Sequence, residues 1–501
     1  MKEDDYRRKC LPGEGIWRIR GSPTEASFLV ALEKSGLHKY VLEEAWPRIS
    51  EIPFSSDRKY MATLHEHGRG LTEKSTNLLI VKGAPEKIEE FLEKPSRSQE
   101  IANEFASQGL RVLACAVKRI PQNRRQISDE DLTNMQFVGL CGINDPPREG
   151  VAEYIRKAES AGISVMMITG DNEFTARAIG KEVGILVEER GDRSLTGDDI
   201  DSMSDEELID AVNSNVTILS RTSPIHKLRV VKALQSREKV VAMNGDGVND
   251  SPALSQANVG IAMGITGTDI AKEASDIILQ EEKFQAVVDG VEEGRHILDS
   301  LKRVVLFLLS TNLAESFLIL SVLLLFTNPV LLLPLQILWL NLVTDGMLDM
   351  ALSLEPKGKG LLDKPPDSLQ ERIVKRKNSG LAIFYGLMMM TLTLIIYIIY
   401  IGAPTEKTRT MIFLGLVIMQ WFSVQNCRSQ DKSILEVGLF TNRIIFIVYI
   451  VDICLVAILF LFPPLTAIFQ LVVPSILDMV TVLAIAPFVL IGEEIRKKIM
   501  K

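Results

Sequence analysis

From about residue 300 onward the chain consists of long apolar runs separated by short polar stretches, and these runs limit what it can fold into more than any other feature. A helix that crosses a bilayer needs about 20 apolar residues, and about six segments meet that length. They lie at 303–327, 329–350, 380–402, 410–427, 442–463 and 474–493. The connections between them differ in charge. Residues 357–379 carry Lys357, Lys359, Lys364, Arg372, Lys375, Arg376 and Lys377, and residues 428–443 carry Arg428, Lys432 and Arg443. The tail adds Arg496, Lys497, Lys498 and Lys501. The alternate connections, 327–329 and 464–473, are uncharged, and only Lys407 and Arg409 disturb the contrast. Because cytoplasmic loops collect Lys and Arg, the basic loops and the more polar first 300 residues belong on the cytoplasmic side.

Polar groups interrupt two of these spans. Asn312 and Glu315 sit in the first, and Asn341, Thr344, Asp345 and Asp349 in the second. Ionisable groups at membrane depth are costly and usually line a pathway. Residues three or four apart share a helix face, so Asn312 with Glu315, and Asn341 with Thr344 and Asp345, make two oxygen-rich faces. Turned together, they would suit a hard cation such as calcium. Gly346 permits unwinding beside Asp345, and unwound backbone can line a cavity. The alternative is interhelical hydrogen bonding without an ion. Asp452, alone in the fifth span, is left unassigned.

The N-terminal half has another character. The whole chain is 47% hydrophobic and 24% charged, with a formal net charge of −8 and no basic cluster, which argues against a nucleic-acid partner. Cys10, Cys115, Cys141, Cys427 and Cys454 are scattered without a CxxC pair, so neither a zinc nor a redox site is expected. The opening MKEDDYRRKC has no apolar core, so a signal peptide is not expected in it. Residues 136–298 alternate short β-rich runs (FVGLCGI, ISVMMIT, VTILS, VVAM, VGIAM, DIIL) with helical stretches. That order predicts a doubly wound parallel sheet with ligands beyond the carboxyl ends of its strands. Thr169-Gly170-Asp171 and Asn244-Gly245-Asp246-Gly247-Val248-Asn249-Asp250 fall at such ends. Two carboxylates four apart on a Gly-rich loop can hold Mg²⁺ while backbone N–H groups face a phosphoryl group. Lys227, at a helix start, could add positive charge there. Alone, Thr-Gly-Asp is an ordinary turn and Asp145-Pro146-Pro147-Arg148 a loop breaker; GDGVNDSPAL is far more specific.

At GDGVNDSPAL the sequence resembles the P-type cation-transporting ATPases, whose phosphorylation domain belongs to the haloacid-dehalogenase-like superfamily. Further motifs follow in that family's order: GSPTEA at 21–26, FSSDRKYM at 54–61, KGAPE at 82–86, DPPR at 145–148, TGD at 169–171 and NLVTDG at 341–346. The resemblance implies a partial α+β nucleotide-binding domain over 1–135, an incomplete α/β haloacid-dehalogenase-like phosphorylation domain over 136–298, and an α-helical membrane bundle over 299–501. It implies ATP and Mg²⁺ as cofactors and an integral, multi-pass location, as in a cell membrane. Glu25, Phe54, Lys59, Lys82, Arg111 and Arg221 resemble nucleotide contacts, with Phe54 stacking on adenine. Thr169, Gly170, Asp171, Lys227, Asp246, Asn249 and Asp250 resemble the catalytic surround, with Asp246 on Mg²⁺ and Lys227 on the phosphoryl group. Asn312, Glu315, Asn341, Thr344 and Asp345 resemble the ion ligands of calcium-type pumps. Calcium is the first expectation for the transported ion, ahead of manganese, sodium, potassium and protons. No Cys-Pro-Cys points to a heavy metal.

Two positions depart from the family pattern. Ser56 replaces an arginine of the FSRDRK-like motif, and Gln420 stands where some calcium pumps place an acid. The family's nucleophile, an Asp followed by Lys-Thr-Gly, has no match: Asp363-Lys364 continues into Pro365, and Asp431-Lys432 into Ser433. The resemblance therefore implies that the actuator domain, the first four helices and the phosphorylated aspartate are missing, and that the isolated chain is inactive as a pump. A separately encoded N-terminal half is one way to complete it. The alternatives are a non-catalytic nucleotide- or cation-binding membrane protein, and phosphatase-like hydrolysis, for which no nucleophile is evident.

Overall fold

The computed structural model describes residues 23–55, 58–66, 76–94, 96–144, 146–281, 283–327, 329, 332–366 and 376–500. Cys10, Gly21, Ser22, Ser56, Asp145, Asn328, Arg372, Lys375 and Lys501 of the sequence analysis lie outside the described residues. The chain forms two compact units, one of residues 1–159 and 164–286, the other of 160–163 and 287–501.

The first unit holds a five-stranded antiparallel sheet in sequential order: β1 (Arg48–Ile52), β2 (Tyr60–His65), β3 (Thr76–Gly83), β4 (Arg111–Pro121) and β5 (Gln136–Ile143). Successive side chains in a strand point to opposite faces, and β3 shows the consequence. Asn77, Leu79, Val81 and Gly83 are buried, while Ile80 and Lys82 look out from the other face. The buried face packs with Ala62, Leu64, Ala114 and Ala116 against Ile88, Leu132 and Met135. Gly83 is needed there, because a Cβ would lie 2.5 Å from the Lys59 carbonyl oxygen.

The stretch FVGLCGI, expected in the parallel sheet, is β5 and pairs antiparallel with β4. Short apolar alternation does not state which partner a strand will find. The rest of the expected doubly wound sheet is two three-stranded parallel sheets. One has the order β6 (Met167–Ile168), β8 (Val216–Ser220), β7 (Arg193–Thr196); the other has β9 (Ala242–Gly245), β10 (Val259–Met263), β11 (Ile277–Leu279). Among the described residues, β6 pairs only with β8 and β9 only with β10. Helices follow β6 and β8 at short capped turns. Asn172 accepts from the Phe174 N–H at 2.9 Å to start Glu173–Val183. Ser223 caps Pro224–Gln235, with Pro224 in the first turn. A free hydroxyl or amide oxygen at that position satisfies an otherwise orphaned helix donor.

In the second unit, five helices among the described residues are long and apolar enough to cross a membrane: Phe284–Leu325, Asn378–Tyr400, Thr405–Cys427, Arg443–Leu461 and Ile476–Ile499. The sequence suggested about six. The difference is the span expected at 329–350, which is a composite of Pro334–Trp339, a π-helical stretch Leu340–Asp345, and Gly346–Ser353. A π turn inserts extra backbone into the helical ladder and is common at functional sites. Thr405–Cys427 is the central helix, with 89% of its apolar window buried inside the protein.

A buried ion pair closes one end of this bundle. The Arg428 side chain is fully buried and donates to the Glu355 carboxylate at 2.7, 2.9 and 3.0 Å. It also donates to the Gly438 and Leu439 carbonyls and to Thr441, while Asn442 donates to Glu355 at 2.8 Å. Removing one partner of such a pair strands the other charge and costs about 3–5 kcal/mol. Arg428→Met should therefore lower the thermal unfolding midpoint in detergent sharply, and Glu355→Met/Arg428→Met should recover most of the loss.

Candidate functional site

In the first unit the motif residues meet at the ends of strands. Thr169 follows β6, and its hydroxyl donates to Asp171 at 3.1 Å and accepts from the Asp171 N–H at 3.1 Å. The segment after β8 lies against this turn. The Arg221 N–H donates to the Asp171 carbonyl at 2.9 Å, and the Thr222 N–H and hydroxyl donate to the Thr169 carbonyl at 3.1 and 3.0 Å. Five residues further on, Lys227 donates to Asp250 at 2.5 Å. The segment 221–227 thus joins the Thr169–Asp171 turn to the loop after β9.

That loop is wound tightly. Asp250 is 7% exposed, and its second carboxylate oxygen accepts from the Asp246 and Gly247 N–H groups at 3.3 and 3.2 Å. A Cβ on Gly245 would lie 2.6 Å from the Asp250 Cβ, so the turn requires glycine. Asp246 and Asn249 are exposed. The exposed Asp246 carboxylate fits a magnesium ion, which keeps several waters and takes one or two protein carboxylates. Asp250, by contrast, serves as the counterion of Lys227.

The antiparallel sheet offers a cavity of about 300 Å³ on the face bearing Ile80 and Lys82, lined also by Phe28, Leu113, Cys115, Val138 and Cys141. Lys82 contacts Glu25 and lies 5.0 Å from the centre of the Phe28 ring. The structure brings Glu25 and Lys82 together here but not Phe54, which is 63% exposed and outside the lining. Phe28 is the aromatic residue at this cavity. It lies three residues after Glu25 on the helix Pro23–Lys34 and so shares its face, but belongs to none of the motifs that resemble nucleotide contacts. Lys59 is exposed, with a φ of 59°. Arg111 donates to Asp171 at 2.6 Å and Arg221 to Glu86 at 2.9 Å, so two expected nucleotide contacts are engaged with acids of neighbouring motifs.

In the second unit, Glu315, Thr344 and Asp345 are buried, and Asn341 beside Glu315 is half-buried. Asn341 donates to Glu315 at 3.2 Å and to the Ile337 carbonyl at 3.1 Å. The other oxygen of Glu315, the amide oxygen of Asn341, both oxygens of Asp345 and one of Asp349 have no hydrogen-bond partner. Gln420 is 1% exposed, with both amide atoms equally unpartnered. Asn312 does not join them: it is exposed and donates to Leu308 of its own helix at 2.7 Å. The buried residue beside it is Thr311. Among the described residues, no group of three or more His, Cys, Asp or Glu is placed to hold a metal ion.

Two cysteines report on the sheet cavity. Cys141 is exposed, whereas burial pushes the Cys115 thiol up and the nearby Lys82 pulls it down. A higher pKa leaves less reactive thiolate at a given pH. Cys141 should alkylate before Cys115, and the Cys115 rate should rise only at more alkaline pH. Lys82→Ala should slow Cys115 further; peptide mass spectrometry after timed iodoacetamide treatment reads both rates.

Comparison with known proteins gives the family of this chain. Residues 329–499 match the family model for the cation transporting ATPase C-terminus, and residues 7–150 match that for the P-type ATPase cytoplasmic domain N. The chain is 36% identical over 510 residues to calcium-transporting ATPase 1 of Bacillus cereus, covering 95% of this chain and 56% of that protein. It is 33% identical over 505 residues to the calcium-transporting ATPase of Bacillus subtilis, covering 97% and 56%. It is 35% identical over 510 residues to the human calcium-transporting ATPase type 2C member 1, covering 98% and 53%. The chain thus spans about half the length of the curated relatives it matches. With matching models at both ends, near-complete coverage of the chain and apolar helices that suit a multi-pass membrane protein, this chain belongs to the P-type cation-transporting ATPases and carries their C-terminal portion.

Proposed function

We propose that this chain is part of an ATP-driven cation pump that couples ATP hydrolysis to movement of a cation, calcium first, across a membrane. The observation that carries the proposal is the set of buried, unpartnered oxygens on Glu315, Asn341 and Asp345, which border a π-helical stretch within an otherwise apolar bundle. Oxygen donors of this kind suit hard cations, and a break in the helical ladder is where transporters place such ligands. The relatives' names supply calcium. Thr344 and Asn312 complete the proposed set. Asn312 would be recruited from its exposed face.

The cytoplasmic part supplies the energy in this reading. The two parallel sheets, with motifs at their carboxyl ends, support a haloacid-dehalogenase-like phosphorylation domain over about 144–298. The sheet β1–β5 then belongs to the nucleotide-binding domain, which extends past the expected boundary at 135. ATP would lie against the face bearing Glu25, Phe28 and Lys82, with Phe54, Lys59, Arg111 and Arg221 at its margin. Asp246 would hold Mg²⁺, which supplies charge neutralisation for phosphoryl transfer. The Thr169 hydroxyl and the Gly170 N–H would donate to the phosphoryl oxygens, while the Asp171 carboxylate, an acceptor, would orient the Thr169 hydroxyl and Arg111. Lys227 would offer positive charge while Asp250 holds its ammonium in place, and Asn249 would complete the loop.

The 501 residues contain no Asp-Lys-Thr-Gly, so the isolated chain would form no aspartyl phosphate. The one-sided pairing of β6 and β9 supports a strand from a separate N-terminal half as the carrier of the nucleophile. Labelled ATP should give no acid-stable phosphoprotein from this chain alone; calcium-dependent labelling would overturn this account.

Two binding measurements test the sites themselves. A fluorescent ATP analogue should bind the full chain about tenfold more weakly after Lys82→Ala, the loss expected for one charge-assisted contact. Equal binding would remove Lys82 from the nucleotide site. Radiolabelled calcium should bind the chain in nanodiscs, and Glu315→Gln or Asp345→Asn should each weaken binding about tenfold or more, as expected where a ligand's charge sets affinity.

A further inference from the structure

Asp452 is the only acidic residue in Arg443–Leu461, which has the highest mean hydropathy of the five long helices, 3.1. It is nevertheless fully buried, on the same stripe as Ile445, Val456 and Leu459. One carboxylate oxygen accepts from the Trp421 indole N–H at 2.6 Å. The other lies 3.5 Å from the Thr344 hydroxyl, at the outer limit of a hydrogen bond. An acid is an expensive way to satisfy an indole among apolar helices, because a neutral acceptor would do so without a buried charge. The second contact is the informative one.

Thr344 behaves unlike other threonines of the bundle. Thr391, Thr393, Thr410 and Thr481 each donate to the carbonyl four residues earlier, at 2.7–2.9 Å. That habit is common for Ser and Thr within apolar helices. Thr344 lies in the π-helical stretch and turns its hydroxyl to Asp452 instead. A hydroxyl has one proton and two lone pairs. With the proton directed at Asp452, the lone pairs remain for another partner, and the next residue, Asp345, is itself fully buried with two oxygens that have no hydrogen-bond partner.

We infer that Asp452 is a positioning residue for the cation site, holding the Thr344 hydroxyl so that its lone pairs face the ion, while the Trp421 indole holds Asp452. This rests on the cation-site reading of Glu315, Asn341, Thr344 and Asp345. Outer partners of metal ligands commonly change affinity about 10–100-fold when removed.

The test is equilibrium binding of radiolabelled calcium, and of manganese, to the full chain in nanodiscs. Asp452→Asn should weaken binding about tenfold or more, and so should Thr344→Val. The double variant should be no weaker than Thr344→Val alone, because the carboxylate acts through a hydroxyl that is no longer there. A merely structural role would give additive losses together with a lowered unfolding midpoint. Trp421→Phe keeps the carboxylate but frees it, and should cost severalfold in affinity even if Asp452→Asn does not fold. Additive losses, or unchanged binding by Asp452→Asn or by a folded Trp421→Phe, would overturn the inference while leaving the cation site standing. Absence of calcium and manganese binding by the unaltered chain would overturn the cation-site reading and this inference with it.

Discussion

Oxygen atoms without partners, buried among apolar helices, are the most expensive feature of this molecule. Each unpaired polar group in such a place costs on the order of 1–3 kcal/mol, and more when charged. Glu315, Asn341, Asp345, Asp349 and Gln420 all carry such atoms, and they occur on four helical segments. A bundle selected only for stability would pair them or replace them. Their retention is understandable if a cation meets them, and it places a demand on the rest of the unit. The helices around them must be held well enough that the oxygens do not collapse onto one another. The burial of Thr405–Cys427 along nearly its whole length and the Arg428–Glu355 pair at the bundle end provide that rigidity.

The cytoplasmic sites follow the opposite principle. Arg111–Asp171 and Arg221–Glu86 are close contacts, but their side chains are 31–43% exposed. Surface pairs of this kind are worth about 0–1 kcal/mol. They are cheap to break, so neither guanidinium is committed to its acid. The Lys227–Asp250 pair differs, with side chains only 16% and 9% exposed. It is better regarded as part of the loop's framework than as a contact waiting to be exchanged. The backbone repeats that distinction: Gly245 admits no Cβ, whereas the Asp246 carboxylate beside it is open to solvent.

Much of this was legible in the sequence, for reasons that differ by element. The apolar runs located the five long helices because length and hydropathy alone decide that question. The span at 329–350 was harder, since composition cannot show where an extra backbone residue enters the ladder. The β-rich run FVGLCGI looks the same beside a parallel or an antiparallel neighbour, and only the fold reveals its pairing with β4. Face arguments were good to one residue in places. Three-residue spacing put Asn312 with Glu315, yet the helix buries Thr311 and leaves Asn312 outside. Phe54 was chosen through a motif, and the cavity is lined by Phe28.

Asp452 marks the limit of such reading. No motif includes it, and no neighbour in its own helix explains it, because both of its contacts come from segments far away in sequence, at Trp421 and Thr344. Thr344 was legible as a candidate ligand, but the direction of its proton was not. In a regular helix that proton would go to the carbonyl one turn back, and the hydroxyl oxygen would be turned along the helix with it. The π-helical register at Leu340–Asp345 changes this turn, and a carboxylate from the most apolar of the long helices takes the proton instead. The orientation of the Thr344 hydroxyl thus depends on two features that are each unfavourable alone: an irregular turn, and a buried acid.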